Sequence, residues 1–270
     1  MVIDFHAHVF PDNLAKRAVG ILASTGNVKP NTDGTVNGLL DSMSKSNVDM
    51  AVSVPVLTKP TQFDSVLDFA LNIKQSIYDV DRRIVPFCGI HPNCDDIEGK
   101  IKKIYDLGFK GIKIHPEYKY TFIDDEKYIK ILKQAKSYGL ITLTHAGADS
   151  AFLGREYRCT PKRVKKVLDA IGGYDKFVLA HYGGHKLYND VCDYLADENV
   201  YLDTALILRL IDEQTFKMVL DKVGSDKILF ATDSPWSSAT NDIKILKSFG
   251  LDKEVEDKIF YKNALKLLNL

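Results

Sequence analysis

Short runs of apolar and β-branched residues alternate along the chain with longer stretches whose apolar positions recur at helical spacing. The short runs span 2–8, 48–56, 83–90, 109–115, 140–145, 176–181, 200–205 and 227–233. Runs of this length and composition, bounded by turn residues, are expected to be strands. Among the intervening stretches, DEKYIKILKQAKSYG places Tyr128, Ile131, Leu132 and Ala135 on one helical face, and PKRVKKVLDAIGG stops at Gly172 and Gly173. Gly108 and Gly139 also stand just before the next strand, where a helix commonly ends in a left-handed residue. Regular βα alternation implies parallel strands. Eight such units in 270 residues suit a closed (β/α)8 barrel, a single domain over 1–270, for which about 250 residues is typical. An open doubly wound sheet is the alternative, but the glycine-rich phosphate turn that usually follows its first strand is absent.

Polar residues gather at the C-terminal ends of the strand runs. His6 and His8 close the first, His91 follows the third, and His115, His145 and His181 close the fourth, fifth and sixth. Asp233 closes the eighth, and His185 lies just beyond the sixth. In a barrel these ends share one rim, which carries the active site in characterised barrel enzymes. Side chains two apart on a strand share a face. Strict alternation then puts Asp4, His6 and His8 inside, with Ile3, Phe5 and Ala7 outside. It puts Leu179 and His181 inside with Val178 and Ala180 outside, and Ala231 and Asp233 inside with Ile228, Phe230 and Thr232 outside. His6 and His8 thus form a two-toothed chelate. With His145 and Asp233 they supply three nitrogens and one carboxylate oxygen, a set suited to zinc or a similar divalent ion. Burying these four groups together without a cation would leave unmatched polar atoms.

Charge and composition narrow the partners. The 36 basic and 36 acidic side chains cancel, which argues against nucleic acid and against an anionic membrane surface. A small-molecule substrate is the expected partner, and a homo-oligomer is left open. No apolar run approaches the roughly 20 residues that span a bilayer. MVIDFHAHVF lacks the basic-then-apolar pattern of a secretory leader. Cys88, Cys94, Cys159 and Cys192 show neither metal nor disulfide spacing, so free thiols in a reducing, cytoplasmic setting are expected.

The stretches IDFHAHVFP, GIKIHPEY, LTHAG, LAHYGG, YLDT, LFATDSPW and FYKNALKLL follow in order along essentially the whole chain. Together they resemble the amidohydrolase superfamily of metal-dependent barrels, and within it the amidohydrolase-2 group of hydrolases and aromatic-acid decarboxylases. The resemblance implies His6, His8 and His145 as ligands of the first metal. It implies Asp233 as both ligand and proton carrier, and His181 as the group that activates water or polarises substrate. In two-metal relatives the positions of His145 and His181 instead hold a second ion, often bridged by a carboxylated lysine or a glutamate on the fourth strand. One ion, most simply zinc, is the expectation, with two as the alternative.

For a second ion or for substrate, the fourth strand offers Lys113, His115 and Glu117. Lys113 is read either as a carbamate bridge or as the partner of Asp4 or Asp203; the salt bridge is preferred, because a buried ammonium needs a counter-charge. Asp4 is expected to orient a ligand imidazole or to pair with Lys113. Arg155 and Arg158 lie over the rim, where a guanidinium can clamp a carboxylate, and Trp236 is a candidate pocket wall. His91 and His185 are read as rim or capping residues, and Cys88 as inert packing. The expected reaction is hydrolysis of an amide, lactone or ester through metal-activated water, with Asp233 moving the proton and His181 polarising the scissile carbonyl. The alternative is a metal-dependent, non-oxidative decarboxylase of an aromatic or unsaturated carboxylic acid. A histidine-rich phosphoesterase would bring further histidines late in the chain, and none follows His185. A non-catalytic barrel would show a degraded rim.

Overall fold

In the computed structural model, which describes residues 1–78, 81–152 and 154–270, the apolar runs become parallel strands. They are β1 (Ile3–Ala7), β2 (Met50–Ser53), β3 (Ile84–Pro86), β4 (Cys88–Gly89), β5 (Gly111–Ile114), β6 (Ile141–Thr144), β7 (Phe177–Leu179), β8 (Tyr201–Asp203) and β9 (Ile228–Leu229). One ladder runs β1-β2-β3 and another runs from β4 to β9. The expected third strand is divided into β3 and β4. Pro86 is in register with Ser53 on one side, and Cys88 with Ile112 on the other. Proline has no N–H with which to extend a ladder, and the strand changes partner just after it. Backbone bonds from Phe5 N to Phe230 O (2.9 Å), Asp233 N to His6 O (2.8 Å) and His8 N to Ser234 O (2.6 Å) join the exit of β9 to β1. The sheet therefore closes on itself as a (β/α)8 barrel.

The helices are α1 (Asp12–Gly26), α2 (Val36–Ser46), α3 (Phe63–Lys74), α4 (Ile97–Asp106), α5 (Glu126–Ser137), α6 (Pro161–Ile171), α7 (Tyr188–Leu195), α8 (Glu213–Val223), α9 (Ala239–Ser248), α10 (Lys253–Asp257) and α11 (Asn263–Leu268). The face of α5 that is buried is the expected one, Tyr128, Ile131, Leu132 and Ala135. Helix α6 ends at Gly172 in the left-handed conformation, φ +68°. Among the described residues, no helix is long and apolar enough to cross a membrane.

Strand residues divide between two apolar layers. Ile112, Ile114, Phe177, Leu179, Ile228 and Phe230 pack outward against the helices. Ile3, Phe5, Val52, Leu143, Val178, Ala180, Leu229 and Ala231 fill the interior, with Leu267 and Leu268 of α11 against them. Strict alternation therefore needs correcting at two strands. Ile3 and Phe5 face in, and Asp4 instead accepts from Thr232 N (2.9 Å) and Thr232 Oγ1 (2.6 Å). The register shifts between Asp4 and Ala7, where β1 has one residue more than β2. Such a bulge re-aims the side chains that follow it, so His6 still enters the barrel. On β7, Val178 and Ala180 face in and Leu179 faces out. His181 then adopts φ +57°, which turns its ring back towards the interior.

Candidate metal centre

His6 Nδ1 lies 2.9 Å from Asp203 Oδ2, and His8 Nδ1 lies 2.7 Å from Val54 O. A carboxylate or carbonyl oxygen only accepts, so each Nδ1 carries the proton and each Nε2 presents a bare lone pair. The two Nε2 atoms stand 3.2 Å apart. Asp233 Oδ1 is 3.4 Å from the first and 3.0 Å from the second. Three acceptors thus converge with no proton of their own to share, the one donor hydrogen-bonded at the cluster being Lys113 Nζ, 3.0 Å from His6 Nε2. Ligands of a tetrahedral zinc at about 2.1 Å stand about 3.4 Å from one another, so this donor set fits a divalent ion, and the three residues form one potential ligand group. Burial first, then Lys113, holds the His6 pKa well below its ordinary value, which keeps the ring neutral as a ligand must be. Asp233 sits at φ +65° and His181 at φ +57°, a region costing a non-glycine residue about 1–3 kcal/mol and concentrated at functional sites.

Lys113 faces the same atoms. Its Nζ meets His6 Nε2 at 3.0 Å. The expected salt bridge is not made, because Asp203 Oδ2 is taken by His6 and Asp4 by Thr232. Burial pulls the Lys113 ammonium down to about 8, with Asp203 and Asp233 opposing. Burial also pushes the Asp203 carboxyl up to about 7. Orienting the imidazole, the role expected of Asp4, falls to Asp203.

A second group lies alongside. His181 Nδ1 donates to Ala205 O at 2.9 Å, so its Nε2 accepts, and the His145 Nδ1–H donates to it at 3.0 Å. That leaves His145 Nε2 buried and without a hydrogen-bond partner. The His115 ring stacks on His145, centroids 4.4 Å apart and 15° from parallel, and His115 Nε2 is 3.8 Å from Asp149 Oδ2. His115, His145 and Asp149 each offer a donor atom within 4.8 Å of the others. The structure therefore gathers His6, His8 and Asp233, and places His145 in the neighbouring group. His181 stands between them, its ring 5.8 Å from that of His6 and 4.7 Å from that of His145. Burial lowers the pKa of His115, His145 and His181 and raises that of Asp149. Sequence reasoning gives no role to Asp149, although it stands four residues after His145 in LTHAGAD. It weighs Asp203 only as a partner for Lys113.

The remaining candidates are committed elsewhere. Glu117, in a buried turn after β5, accepts from Arg158 N and from Arg158 Nη1 at 3.2 Å. It belongs to neither donor group. Arg158 is therefore paired, with its guanidinium 5.1 Å from the Tyr120 ring centre. Arg155 lies over Tyr120 and Phe152, 5.3 and 5.6 Å from their centres. Trp236 is half-buried, and its backbone N–H donates to the Asp233 backbone O at 2.8 Å. His91 Nδ1 accepts from Asn93 N at 3.0 Å, and His185 meets Tyr188 Oη at 3.1 Å. Lys119 was not anticipated. Its Nζ is buried without a hydrogen-bond partner, and burial pulls its pKa down to about 8. It is felt electrostatically by His91 and His115. Cys88 is buried with its thiol pushed up to about 12.

Comparison with known proteins extends these observations. The sequence model of a family described as amidohydrolase matches residues 3–270. No curated protein matches the chain. An uncharacterised TIM-barrel protein from Bordetella bronchiseptica superposes with a TM-score of 0.76 at 15% identity, covering 99% of this chain and 98% of its own. A probable 2-pyrone-4,6-dicarboxylic acid hydrolase from Acinetobacter baumannii, with citric acid bound, gives 0.69 at 17% identity, over 100% and 99%. A 5-carboxyvanillate decarboxylase from Novosphingobium aromaticivorans, complexed with manganese and a nitrobenzoic acid, gives 0.72 at 13% identity, over 100% and 96%. At these identities the likeness is one of fold.

Proposed function

The chain belongs to the amidohydrolase family, and from that premise we propose that it is a metal-dependent hydrolase cleaving an amide, lactone or ester bond of a small molecule. The observation that carries this reading is the convergence of His6 Nε2, His8 Nε2 and Asp233 Oδ1 within 3.0–3.4 Å of one another. His6, His8 and Asp233 would hold the ion, and two imidazoles with a carboxylate favour zinc. When bound, such an ion supplies Lewis-acid polarisation and brings water ionisation towards about pH 7. The protein's own groups do the rest. Asp233 accepts the proton of the attacking water at its carboxylate and delivers it to the leaving group. His181, whose Nδ1–H is held by Ala205 O and whose Nε2 accepts from His145 Nδ1–H, orients His145 at the junction of the two groups; it can polarise a carbonyl, the role expected of it, only once that bond is given up. Asp203 holds the His6 ring in the tautomer that leaves Nε2 unprotonated. The buried cysteines Cys88, Cys94 and Cys159, all free thiols, support a cytoplasmic setting.

Asp233→Asn tests the proposal. Turnover should vanish in a screen of lactones, amides and esters while the circular dichroism spectrum stays native, and full activity in this variant would overturn the reading. A second reading, non-oxidative decarboxylation of an aromatic or unsaturated acid, is favoured by Lys119. A buried ammonium with no hydrogen-bond partner, set over the Tyr118 ring, suits a carboxylate-bearing substrate, and one neighbour in fold is named as a decarboxylase. Carbon dioxide release from hydroxybenzoate-like acids, with amides and lactones untouched, would select it.

A further inference from the structure

We propose that a phosphate group binds in a cavity between the exits of β8 and β9, held by Arg209, Lys244, Asp242 and the N-terminus of α9. The cavity measures about 380 Å3, and Asn31, Ser237 and Ser238 complete its polar lining. Its place follows from the topology. With β3 and β4 sharing one barrel position, β8 is the seventh strand and β9 the eighth. Arg209 ends the short turn after β8, Ile207–Arg209, and Ser237 and Ser238 lead from β9 into α9. Helix α9 is an additional helix: it packs against α2 and the Ile207–Arg209 turn, whereas the Lys258–Lys262 segment and α11 return to β9. The loops after the seventh and eighth strands, with the N-terminus of a short extra helix, form a recurrent phosphate site in (β/α)8 barrels.

Three observations carry the proposal independently of the metal centre. First, Asp242 is 1% exposed, and its Oδ2 has no hydrogen-bond partner while Oδ1 accepts from Ser237 Oγ at 2.9 Å. Buried polar atoms are almost always satisfied, so this oxygen points to an occupant. Second, Arg209 and Lys244 set two cations against the one carboxyl of the lining. Third, no side chain caps α9, which leaves its N-terminal N–H groups and positive dipole end to an outside acceptor. An ionised Asp242 would repel an oxyanion, whereas a carboxylic acid donates to it. Burial pushes this carboxyl up to about 7, with Asp4 and Asp233 adding to the rise and Ser237 and Arg209 opposing it. One proton then lies between Asp242 Oδ2 and a phosphate oxygen. The walls are fixed by Asn31 N to Pro235 O (2.7 Å) and by Ser46 Oγ with Thr240 Oγ1 (2.8 Å). The volume falls at the small end of small-molecule sites, with room for a phosphate carrying a small organic group.

Isothermal titration calorimetry of the metal-loaded chain tests the site, with inorganic phosphate and glycerol phosphate as probes at about pH 6, where Asp242 carries its proton. Both should bind, and the tighter of the two tells whether the free ion or an ester is the better occupant. Arg209→Met, at an exposed position, should weaken both by about 10-fold or more, the worth of a hydrogen bond to a charged group. His8→Asn should bind both as wild type does, because only phosphate seated on a metal ion would be lost with that side chain. At about pH 8, sulfate, which does not titrate in this range, should bind Asp242→Asn more tightly than wild type, since the amide stays a neutral donor where the acid has lost its proton. The proposal is overturned by absence of phosphate binding at millimolar concentration, by equal binding in Arg209→Met, or by loss of binding in His8→Asn. Equal sulfate affinity of Asp242→Asn and wild type at the higher pH overturns it as well.

Discussion

Asp203→Asn isolates the link between a buried carboxyl and the ligand atom it controls. Asp203 Oδ1 accepts from His181 N and Ala205 N, both at 3.0 Å, while Oδ2 faces His6 Nδ1 at 2.9 Å. An asparagine keeps its oxygen on the two backbone N–H groups, because the reverse orientation would break both bonds. Its NH2 then points at His6 Nδ1–H, donor against donor. If His6 keeps its tautomer, an unsatisfied buried pair costs about 1–3 kcal/mol. If the proton moves to Nε2, it occupies the lone pair aimed at His8 and Asp233. Either route weakens metal binding, and removal of such an orienting partner costs about 10–100-fold in affinity, or about 1.4–2.8 kcal/mol at 1.4 kcal/mol per tenfold. The assay is competition against a chromophoric chelator at about pH 8. A control separates this from general damage. Burial pushes the Asp203 carboxyl up to about 7, so its ionised form opposes folding above that pH, and the asparagine variant should melt no lower than wild type once both are metal-free. Unchanged metal affinity in a folded variant would refute the tautomer argument.

Asp242, in α9, accepts from Ser237 Oγ at 2.9 Å, and burial raises its pKa from 3.8 to about 7. A raised acid is protonated in the folded state while ionised in the unfolded one, so unfolding free energy should fall as pH rises across that window, by up to about 4 kcal/mol. Asp242→Asn should flatten this slope in urea titrations at about pH 5 and about pH 8; an unaltered slope would place the pH dependence elsewhere. Gly147 has φ +81°, and a Cβ there would collide with the His185 and Gly184 backbone. Gly147→Ala should cost at least about 2 kcal/mol in urea denaturation, and a smaller loss would mean that the loop after β6 yields. Lys119→Met should raise KM for a carboxylate-bearing substrate by about 10–100-fold, the worth of a hydrogen bond to a charged group. It should leave a neutral ester unaffected, and equal effects on both would make Lys119 structural. Saturating metal at about 100 times its Kd should raise the unfolding free energy by about 2.7 kcal/mol over chelated protein.

Much of the barrel is legible in the sequence because its signals are local. The period of two in the strand runs and of about 3.6 in DEKYIKILKQAKSYG follow from backbone geometry alone. So does the stop at Gly172. The placement of His6, His8, His115, His145, His181 and Asp233 at strand ends is a one-dimensional fact, and parallel closure turns it into one rim. Face assignment is less local. One extra residue in β1 between Asp4 and Ala7, and a left-handed turn at His181, each reverse the parity that simple alternation assumes. Both depend on how the neighbouring strand pairs.

The sequence by itself therefore determined the elements, their parallel order, the family and the ring of candidate ligands. The tertiary structure alone decided which atoms meet. It gathered His6, His8 and Asp233 into one donor group and set His145 beside His115 and Asp149. It spent Arg158 on Glu117, turned Lys113 from a carboxylate to His6 Nε2, and left Lys119 without a hydrogen-bond partner. The reason is physical. Periodicity reports which face a residue occupies, whereas ligation and proton placement depend on ångström-scale distances between strands far apart in the chain. Asp203 and His6 are separated by 197 residues, and only closure of the barrel brings them within a hydrogen bond.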